Sequence, residues 1–444
     1  MSTDWNARLE QLAEGLFAGL EANEQLALSL SAEDSQFIRF NNARIRQTGQ
    51  VSDGRLELRL IDGRRHCASH LTLSGVIAKD RELAADELIR LRNEVRQLPE
   101  DPYAVAPVGG QRSESRHSGN PLPVDTAASR LIAPMQGADV TGLYQGGRIW
   151  RGHANSAGSR HAFVTDTHAV DYSVIDEEER MVKGCFAGSR WDDAAWAADV
   201  ADARRQLALL DRPRKNIPPG RYRCYIAPAG VSDLLDMFSW HGLSEADMQT
   251  GESAFLRMRE EGVRLSPKFS LAEDFGSGLA PRFNGVGEVA PERLELIREG
   301  QLVNTLVSSR SAREFGVESN FADDGEYLRA PVMATGDLAE ADILRTLDTG
   351  VYLSNLHYLN WSDTSGGRIT GMTRYACFWV EKGAIVGPID NMRFDDSIYH
   401  IFGDRLEAVT REARVNPEVG TYHQRSLGAT VCPGVLLSGF ELTL

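Results

Sequence analysis

The histidines are the first residues whose spacing bears on chemistry. None of the ten histidines is followed by glutamate. Zinc peptidases with a His-Glu motif need a histidine ligand and an adjacent general-base glutamate on one helix, so motifs of that type are excluded. The sequence also contains no Gly-x-Ser-x-Gly and no Gly-Lys dipeptide. Their absence excludes a nucleophile elbow and a phosphate-binding P-loop.

Three histidines lie within sixteen residues of one another, at His153, His161 and His168, close to Asp166 and Asp171. Metal binding is one interpretation of this group. On a continuous strand, however, His161 and His168 are separated by an odd number of residues and face opposite sides. We therefore favour exposed polar histidines over a metal site.

Two further groups allow a functional and a structural interpretation. Asp395 and Asp396 form a possible carboxylate pair, although a solvated turn is the favoured alternative. The aromatic stretch from Tyr352 to Trp361 includes His357 and Tyr358. It is a candidate peptide groove, and core packing explains it at least as well.

The elements that must position these residues are mixed. Apolar spacing predicts helices from Trp5 (with caps at Ser2, Thr3 or Asp4), over 80–96 and over 191–210. Alternating patterns predict strands, with a hairpin turn at Asp62-Gly63. The sequence also predicts a surface loop over 99–123; strands at 222–227, 302–307, 350–353, 376–380 and 435–444; helices at 231–240 and 252–261; and a hairpin at Lys382-Gly383.

The segment from Asp211 to Gly220 interrupts regular structure with two adjacent prolines and a glycine. Such a segment between a helix and an apolar strand is typical of a domain boundary. The sequence thus predicts an α+β protein with an N-terminal α/β domain over 1–212 and a more β-rich C-terminal domain over 220–444.

Bulk composition limits the cellular setting. The net charge of −15 argues against nonspecific nucleic-acid binding, because phosphate contacts require lysine and arginine surfaces. The five cysteines are scattered and form no Cys-x-x-Cys, which favours reduced thiols. The beginning of the chain has no basic-then-apolar signal pattern, and no apolar run approaches the ~18 residues that span a bilayer. We expect a cytoplasmic protein without membrane contact.

Several blocks of the sequence resemble the TldD/PmbA family of cytoplasmic peptide-processing proteins. The matching blocks are Ala154-Asn-Ser-Ala-Gly158, Gln301 to Gly316, Thr349-Gly-Val-Tyr-Leu353, Thr370-Gly371, Phe378-Trp-Val-Glu-Lys-Gly383 and Gly387-Pro-Ile389. They resemble the family's "Asn-Ser-x-Gly" turn, its "Ser-Ala-Arg, Gly" block, its "Gly-Leu-Tyr-Val" strand and its "Gly-Phe-Trp-Ile-Glu-Asn-Gly … Pro-Val" block. No block is decisive alone, but their order and spacing make the resemblance specific.

The sequence departs from the TldD branch at the metal-binding helix. That branch carries His-Glu-x-x-x-His after the first strand of the second domain, where this chain reads Ala229 to His241. In this alignment Asp236 and Met237 stand where histidine and glutamate would be, and only His241 keeps its position. The resemblance is therefore to the PmbA (TldE) branch, which lacks the motif.

The resemblance implies a non-metallated subunit of a metalloprotease that processes small or unfolded peptides. No cofactor is expected on this chain, and zinc is expected on a TldD-type partner, with a homodimer as the other assembly. The residues suggested for a substrate groove are His241, His357, Tyr358 and Trp361. Two alternatives remain open: a variant metallopeptidase using Asp236, His241 and His423, and a peptide-binding modulator without catalysis. The catalytic residues are unknown.

Overall fold

The N-terminal half is built on a seven-stranded sheet in the order β3-β2-β1-β5-β6, with β4 and β7 both paired to β6. The structure is a computed structural model that describes residues 4–444. The strands are β1 (Glu24–Asn41), β2 (Arg44–Asp62), β3 (Arg65–Thr72), β4 (Arg112–His117), β5 (Asp139–Asn155), β6 (Arg160–Ile175) and β7 (Met181–Gly188). The helices are α1 (Trp5–Ala18), α2 (Ile77–Val95), α3 (Val124–Ile132) and α4 (Asp193–Leu210).

Alternation along the strands gives this sheet two different faces. Leu26, Leu28 and Leu30 of β1 are buried beneath α1 and α2, and the apolar cluster beneath α3 and α4 includes Tyr144 of β5. Because successive side chains of a strand point to opposite faces, Ser29 and Ser31 lie on the other face. The helices therefore cover one face, and the polar face is turned toward the C-terminal half.

The C-terminal half contains thirteen strands in one branched sheet centred on β20. The strands are β8 (Gly220–Ile226), β9 (Leu271–Asp274), β10 (Arg293–Arg298), β11 (Gln301–Leu302), β12 (Pro331–Met333), β13 (Gly350–Leu353), β14 (Asn355–Asp363), β15 (Arg368–Arg374), β16 (Phe378–Glu381), β17 (Ala384–Pro388), β18 (Arg393–Ser397), β19 (Leu406–Pro417) and β20 (Ala429–Leu442). The helices are α5 (Pro228–Asp236), α6 (Glu245–Thr250), α7 (Leu256–Glu260), α8 (Ser309–Phe315) and α9 (Ile343–Leu347).

The α+β class is confirmed. The strands of the two sheets divide at residues 211–219, and an apolar cluster joins Tyr144 and Trp196 of the first half to Phe378 of the second. The C-terminal half has more strands, but the N-terminal strands are longer, reaching 19 residues in β2. Across residues 4–444, no helix combines the length and apolar character needed to cross a bilayer.

Local predictions have mixed outcomes. The helix that begins at Trp5 is confirmed, with Asp4 as its cap through a 3.1 Å bond from the Ala7 amide, whereas Ser2 and Thr3 lie outside the described residues. The hairpins at Asp62-Gly63 and Lys382-Gly383 are also confirmed, and both glycines adopt positive φ.

Two segment predictions are wrong. The predicted loop over 99–123 contains β4, which pairs with β6 in parallel. Its sequence, Arg-Ser-Glu-Ser-Arg-His, has no alternation of apolar residues that would predict a strand. The strand forms because β6 supplies the backbone hydrogen bonds. Of the strand predicted over 302–307, only Leu302 belongs to a strand, β11. Further along, the amide of Leu306 donates instead to the carbonyl of Leu243.

Candidate functional site

A cleft of about 760 Å³ separates the polar face of the N-terminal sheet from the C-terminal half. The sheet contributes Ser29, Ser31, Glu57, Arg59 and Arg151 to its wall. The facing wall includes Asp236, Asn284, Tyr327, Arg329, Glu418 and Thr430. Its size lies within the ~300–1,000 Å³ typical of ligand clefts, and it is lined by both charges and aromatic rings.

Helix α5 presents the carboxylate of Asp236 to this cleft and holds that of Asp233 beneath it. The helix begins at Pro228, which suits a first helical position because proline lacks the amide hydrogen. Val231, Leu234 and Leu235 are buried and anchor it to the core. Asp233 and Asp236 are three residues apart, so they lie on one face of the helix. Asp236 is exposed within the cleft, whereas Asp233 is partly buried beneath it.

Both carboxylates hold protons more tightly than an ordinary aspartate. Burial, together with the negative charge of Asp236, raises the pKa of Asp233 to about 7. The protein walls around the cleft and the charge of Glu418 raise the pKa of Asp236 to about 6, although a hydrogen bond from Thr430 opposes the shift. The pair can therefore exchange protons near neutral pH, which is a property of functional clefts.

The arginines that line the cleft differ in how many hydrogen-bond and ion-pair partners their guanidinium groups have. The guanidinium of Arg59 pairs with Asp324 at 2.7 Å. That of Arg329 donates to the carbonyls of Pro281 and Phe283 at 3.3 and 3.2 Å and lies over the ring of Phe275. Within the described part of the chain, Arg151 donates only to the carbonyl of Trp150, at 2.9 Å.

The structure does not bring the proposed metal residues together. Asp236 accepts a bond from Thr430 in the cleft, and His423 lies within 3.3 Å of Arg55 beside a separate cavity of about 220 Å³. His241 lies near Asp247 and Glu252, and the three ligand atoms of this group are within 4.8 Å of one another. His241, Asp247 and Glu252 do not line the cleft.

The suggested groove residues also lie elsewhere. His357, Tyr358 and Trp361 belong to β14, which pairs only with β15 among the strands of residues 4–444. The Tyr358 side chain is 85% exposed, and the indole of Trp361 donates to the carbonyl of Trp240 at 2.5 Å. These residues form an exposed strand edge and not a wall of the cleft.

The prediction of exposed histidines is wrong, because His153, His161 and His168 are all buried. His153 and His161 face each other across β5 and β6, with ring centroids 5.9 Å apart. His168 lies on the opposite face against Trp191. The odd spacing correctly predicted that His161 and His168 lie on opposite faces of the sheet. The prediction of exposure failed because both faces of this sheet are covered by other parts of the protein.

The prediction of a solvated turn at Asp395-Asp396 is also wrong. Both residues belong to β18, and Asp396 is only 1% exposed. Its carboxylate contacts His400 at 2.9 Å and Arg405 at 3.0 Å. The carboxylate is tolerated in the core because His400 and Arg405, which follow it by 4 and 9 residues in the chain, contact its two oxygens.

Sequence reasoning missed most of the cleft. Arg59 and Arg151 lie on strands about ninety residues apart in the chain, and neither belongs to a motif. The one available signal was the alternation of Ser29 and Ser31 with leucines along β1, which marks a sheet with one polar face. Only the β1–β5 register, which pairs Ser31 with Arg151, identifies the residues that share that face.

Residues 219–444 match the PmbA/TldA metallopeptidase C-terminal domain. The chain belongs to the PmbA/TldD family. The full chain also has the fold of solved structures. A proposed modulator of a DNA gyrase from Thermotoga maritima MSB8 is 16% identical, with a TM-score of 0.76 over 98% of this chain and 100% of the other.

Two further structures give similar values. TldE from Thermococcus kodakarensis is 14% identical, with a TM-score of 0.76 over 98% of this chain and all of the other. A proposed modulator of DNA gyrase from Bacteroides thetaiotaomicron VPI-5482 is 17% identical, with a TM-score of 0.78 over both complete chains. At these identities the likeness shows the fold alone. No curated protein matches the chain.

Membership in a metallopeptidase family raises the question of whether the cleft residues fit a zinc ion. A catalytic zinc needs three protein ligands and an open position for water. Among described residues, those that line the cleft include carboxylates but no histidine or cysteine. Cys432 lies near Asp236, but its thiol donates to the carbonyl of Pro228, and burial raises its pKa well above the usual range. These residues do not fit a catalytic zinc of the PmbA/TldD metallopeptidase type.

Proposed function

We propose that this chain is a PmbA (TldE)-like subunit that binds small or unfolded peptides in the cleft and supplies no catalytic metal. It works in the cytoplasm with a TldD-type partner that carries zinc, the metal-bound water and the general base. The observation that carries this proposal is the chemistry of α5, which presents Asp236 to the cleft and holds Asp233 beneath it, with no histidine or cysteine among the described residues that line the cleft. A carboxylate pair without imidazole favours binding over zinc hydrolysis.

The shape of the cleft supports an unfolded ligand. Its walls come from both halves of the chain and enclose about 760 Å³, a volume that can hold a short extended segment but not a folded domain. Tyr327 and Phe283 offer apolar contact, and the serines of β1 offer hydrogen bonds. This mixture suits a main chain with varied side chains.

Blocking the cleft tests the binding step directly. Gly285 lines the cleft, its φ is not positive, and a Cβ there meets nothing within 4 Å. We expect Gly285→Trp to fill the cleft and to weaken binding of a fluorescent unfolded peptide at least ~10-fold, as measured by anisotropy. Gly15→Trp is the matched control, because Gly15 is exposed on α1 and equally free of contacts. Equal affinity in both variants would contradict binding in the cleft.

A reconstitution experiment tests the division of labour. The pure chain should leave an unfolded peptide intact, and adding a family partner with His-Glu-x-x-x-His should produce chelator-sensitive cleavage. The reason is that the cleft residues supply no zinc ligand set beside a general base. Chelator-sensitive cleavage by the pure chain alone would overturn the proposed role.

Metal content gives an independent measurement. We expect tag-free protein to carry much less than one zinc per chain by elemental analysis. His241 is the residue to examine, since it groups with Asp247 and Glu252. About one zinc per chain, lost in His241→Ala, would show that this chain has a metal site of its own.

A further inference from the structure

Arg151 occupies an unusual position in the polar face of the N-terminal sheet. It lies on β5 directly across from Ser31 of β1, and both residues line the cleft together with Ser29. A guanidinium has five N–H donors, yet among residues 4–444 the Arg151 guanidinium has one acceptor, the Trp150 carbonyl. Within residues 4–444, no carboxylate oxygen lies within 4.0 Å of it.

The other arginines that line the cleft, and Arg425 of the separate cavity of about 220 Å³, have protein partners. Arg59 pairs with Asp324, and Arg329 donates to two carbonyls. Arg425 is 8% exposed, but its guanidinium donates to Ser35, to the Gly147 carbonyl and to Thr167. These three side chains are held by the protein itself, whereas the donors of Arg151 remain available.

The electrostatic surroundings leave the charge of Arg151 only partly compensated. Burial lowers the pKa of Arg151 to about 10, the charge of Glu33 opposes this shift, and the charge of Arg425 adds to it. Glu33 forms no ion pair with Arg151 within 4.0 Å among the described residues, and one of its carboxylate oxygens accepts from the Arg425 amide. At neutral pH Arg151 remains charged, and a partly buried charge without a directly bonded counterion among residues 4–444 is costly.

We propose that Arg151, with the hydroxyls of Ser29 and Ser31, binds a carboxylate of the peptide held in the cleft. This inference rests on the proposed peptide-binding function and deepens it by naming the group that is recognised. A carboxylate accepts two parallel bonds from a guanidinium and further bonds from hydroxyls. The carboxylate comes either from the C-terminus of the peptide or from an acidic side chain.

The opposite wall limits the number of acids that the cleft accepts. Asp236 and Glu418 line it without a basic partner within 4.0 Å among described residues. A second carboxylate placed there would meet like charges, which disfavour it. The ligand class is therefore a short unfolded peptide with one carboxylate directed at the N-terminal sheet.

Three fluorescent peptides of one sequence distinguish the possibilities on the full-length chain. The first has a free C-terminal carboxylate, the second a C-terminal amide, and the third an amide with one internal glutamate. The variants are Arg151→Gln, Arg151→Lys and the control Arg112→Gln, which changes an exposed arginine of β4. Dissociation constants come from anisotropy, and unchanged circular dichroism melting shows that each variant folds.

We expect the free-acid peptide to bind the wild type at least ~10-fold more tightly than the amide. Arg151→Gln should remove this difference and leave amide binding unchanged, while Arg151→Lys should retain part of it and Arg112→Gln all of it. Tight binding of the glutamate peptide would assign the site to acidic side chains as well, within the same carboxylate chemistry.

Two other results have distinct meanings. Equal binding of the acid and amide peptides, unaffected by Arg151→Gln, would overturn the carboxylate site and leave the peptide-binding function standing. Failure of all three peptides to bind the wild type would overturn the proposed function and this inference with it.

Discussion

Asp233 and Asp236 show how a single helical turn sets the proton chemistry of the cleft. Their spacing places both carboxylates on one side of α5, and burial raises the pKa of Asp233 to about 7. An unfolded aspartate has a pKa near ~3.9. The native state therefore binds more protons than the unfolded state between these values, and stability falls as pH rises through the window.

Asp233→Asn should reverse this loss. The asparagine oxygen can still accept the 3.3 Å bond from the Leu356 amide, but it carries no charge. At pH 8 we expect the variant to melt higher than the wild type, by on the order of 2 °C. At pH 5 only part of this stability has been lost, because the unfolded aspartate is ionised while the folded Asp233 is still protonated, so the difference in melting temperature should be smaller than at pH 8. Scanning calorimetry at both pH values measures the difference, and a lower melting temperature of the variant at pH 8 would contradict the sign.

The loop over 283–289 is the element that joins the C-terminal half to the buried histidine pair. His161 contacts the Gly287 carbonyl at 3.0 Å and Ser113 at 2.8 Å, and Asn155 donates to the Val286 carbonyl at 3.3 Å. The ring of His161 stacks on Phe283. Because Phe283, Asn284 and Gly285 also line the cleft, the docking of this loop shapes the cleft wall.

Gly287→Ala should loosen this loop. Gly287 has φ +87°, and a Cβ there would lie 2.7 Å from both Asn155 and His153. Left-handed backbone alone costs a residue with a Cβ about 1–2 kcal/mol, and the close contacts add to that. We expect a lower denaturant midpoint and weaker peptide binding. Gly285→Ala is the control, since its added Cβ meets nothing within 4 Å. Equal stability of the two variants would contradict the role of the contact.

Acid should also release this loop. Burial and the positive charges of His161, Arg160 and Arg59 lower the pKa of His153 to about 3, and burial lowers that of His161. An unfolded histidine has a pKa near ~6.5, so the pair contributes stability above that value and loses it as pH falls toward 3.

Amide exchange measures the effect locally. Protection of residues 283–289 should decrease between pH 7 and pH 5 after correction for intrinsic exchange rates. The decrease should be smaller in His153→Gln, which cannot take up this proton. A change of equal size in both proteins would show that His153 does not control the loop.

At the scale of the whole molecule, the two halves are linked by more than the chain between them. The segment between β19 and β20 crosses to the N-terminal sheet, where Gln424 donates to the Ser31 carbonyl and Arg425 bonds to Ser35 and Thr167. Gln145 in turn donates to the Val419 carbonyl at 3.1 Å. These contacts hold both walls of the cleft in place.

We expect the molecule to form a dimer, with itself or with a family partner. The aromatic edge of β14 supports this expectation, because Tyr358 is 85% exposed, and Trp240 and Met372 nearby are 48% and 37% exposed. Light scattering at micromolar concentration should give about twice the chain mass of 48.9 kDa for a homodimer. If the chain alone has the monomer mass, adding the partner should produce the dimer, and a monomer in both samples would contradict the expectation.

Local order was accessible from the sequence because it depends on neighbouring residues. Asp4, Trp5 and the leucine spacing of α1, and the Asp62-Gly63 and Lys382-Gly383 turns, were correctly predicted. The family blocks of the C-terminal half agreed with the match over 219–444.

The tertiary structure alone decided which distant residues meet. His153 and Asp396 are buried among residues of other elements. Arg151 of β5 and Ser31 of β1 line one wall of the cleft, and Asp236 of α5 lines the facing wall. Strand register and the docking of two sheets determine such contacts, and neither leaves a periodic signal in the chain. The sequence by itself determined the helices, turns and family, whereas the site depends on long-range pairing, because its residues share a surface only after folding.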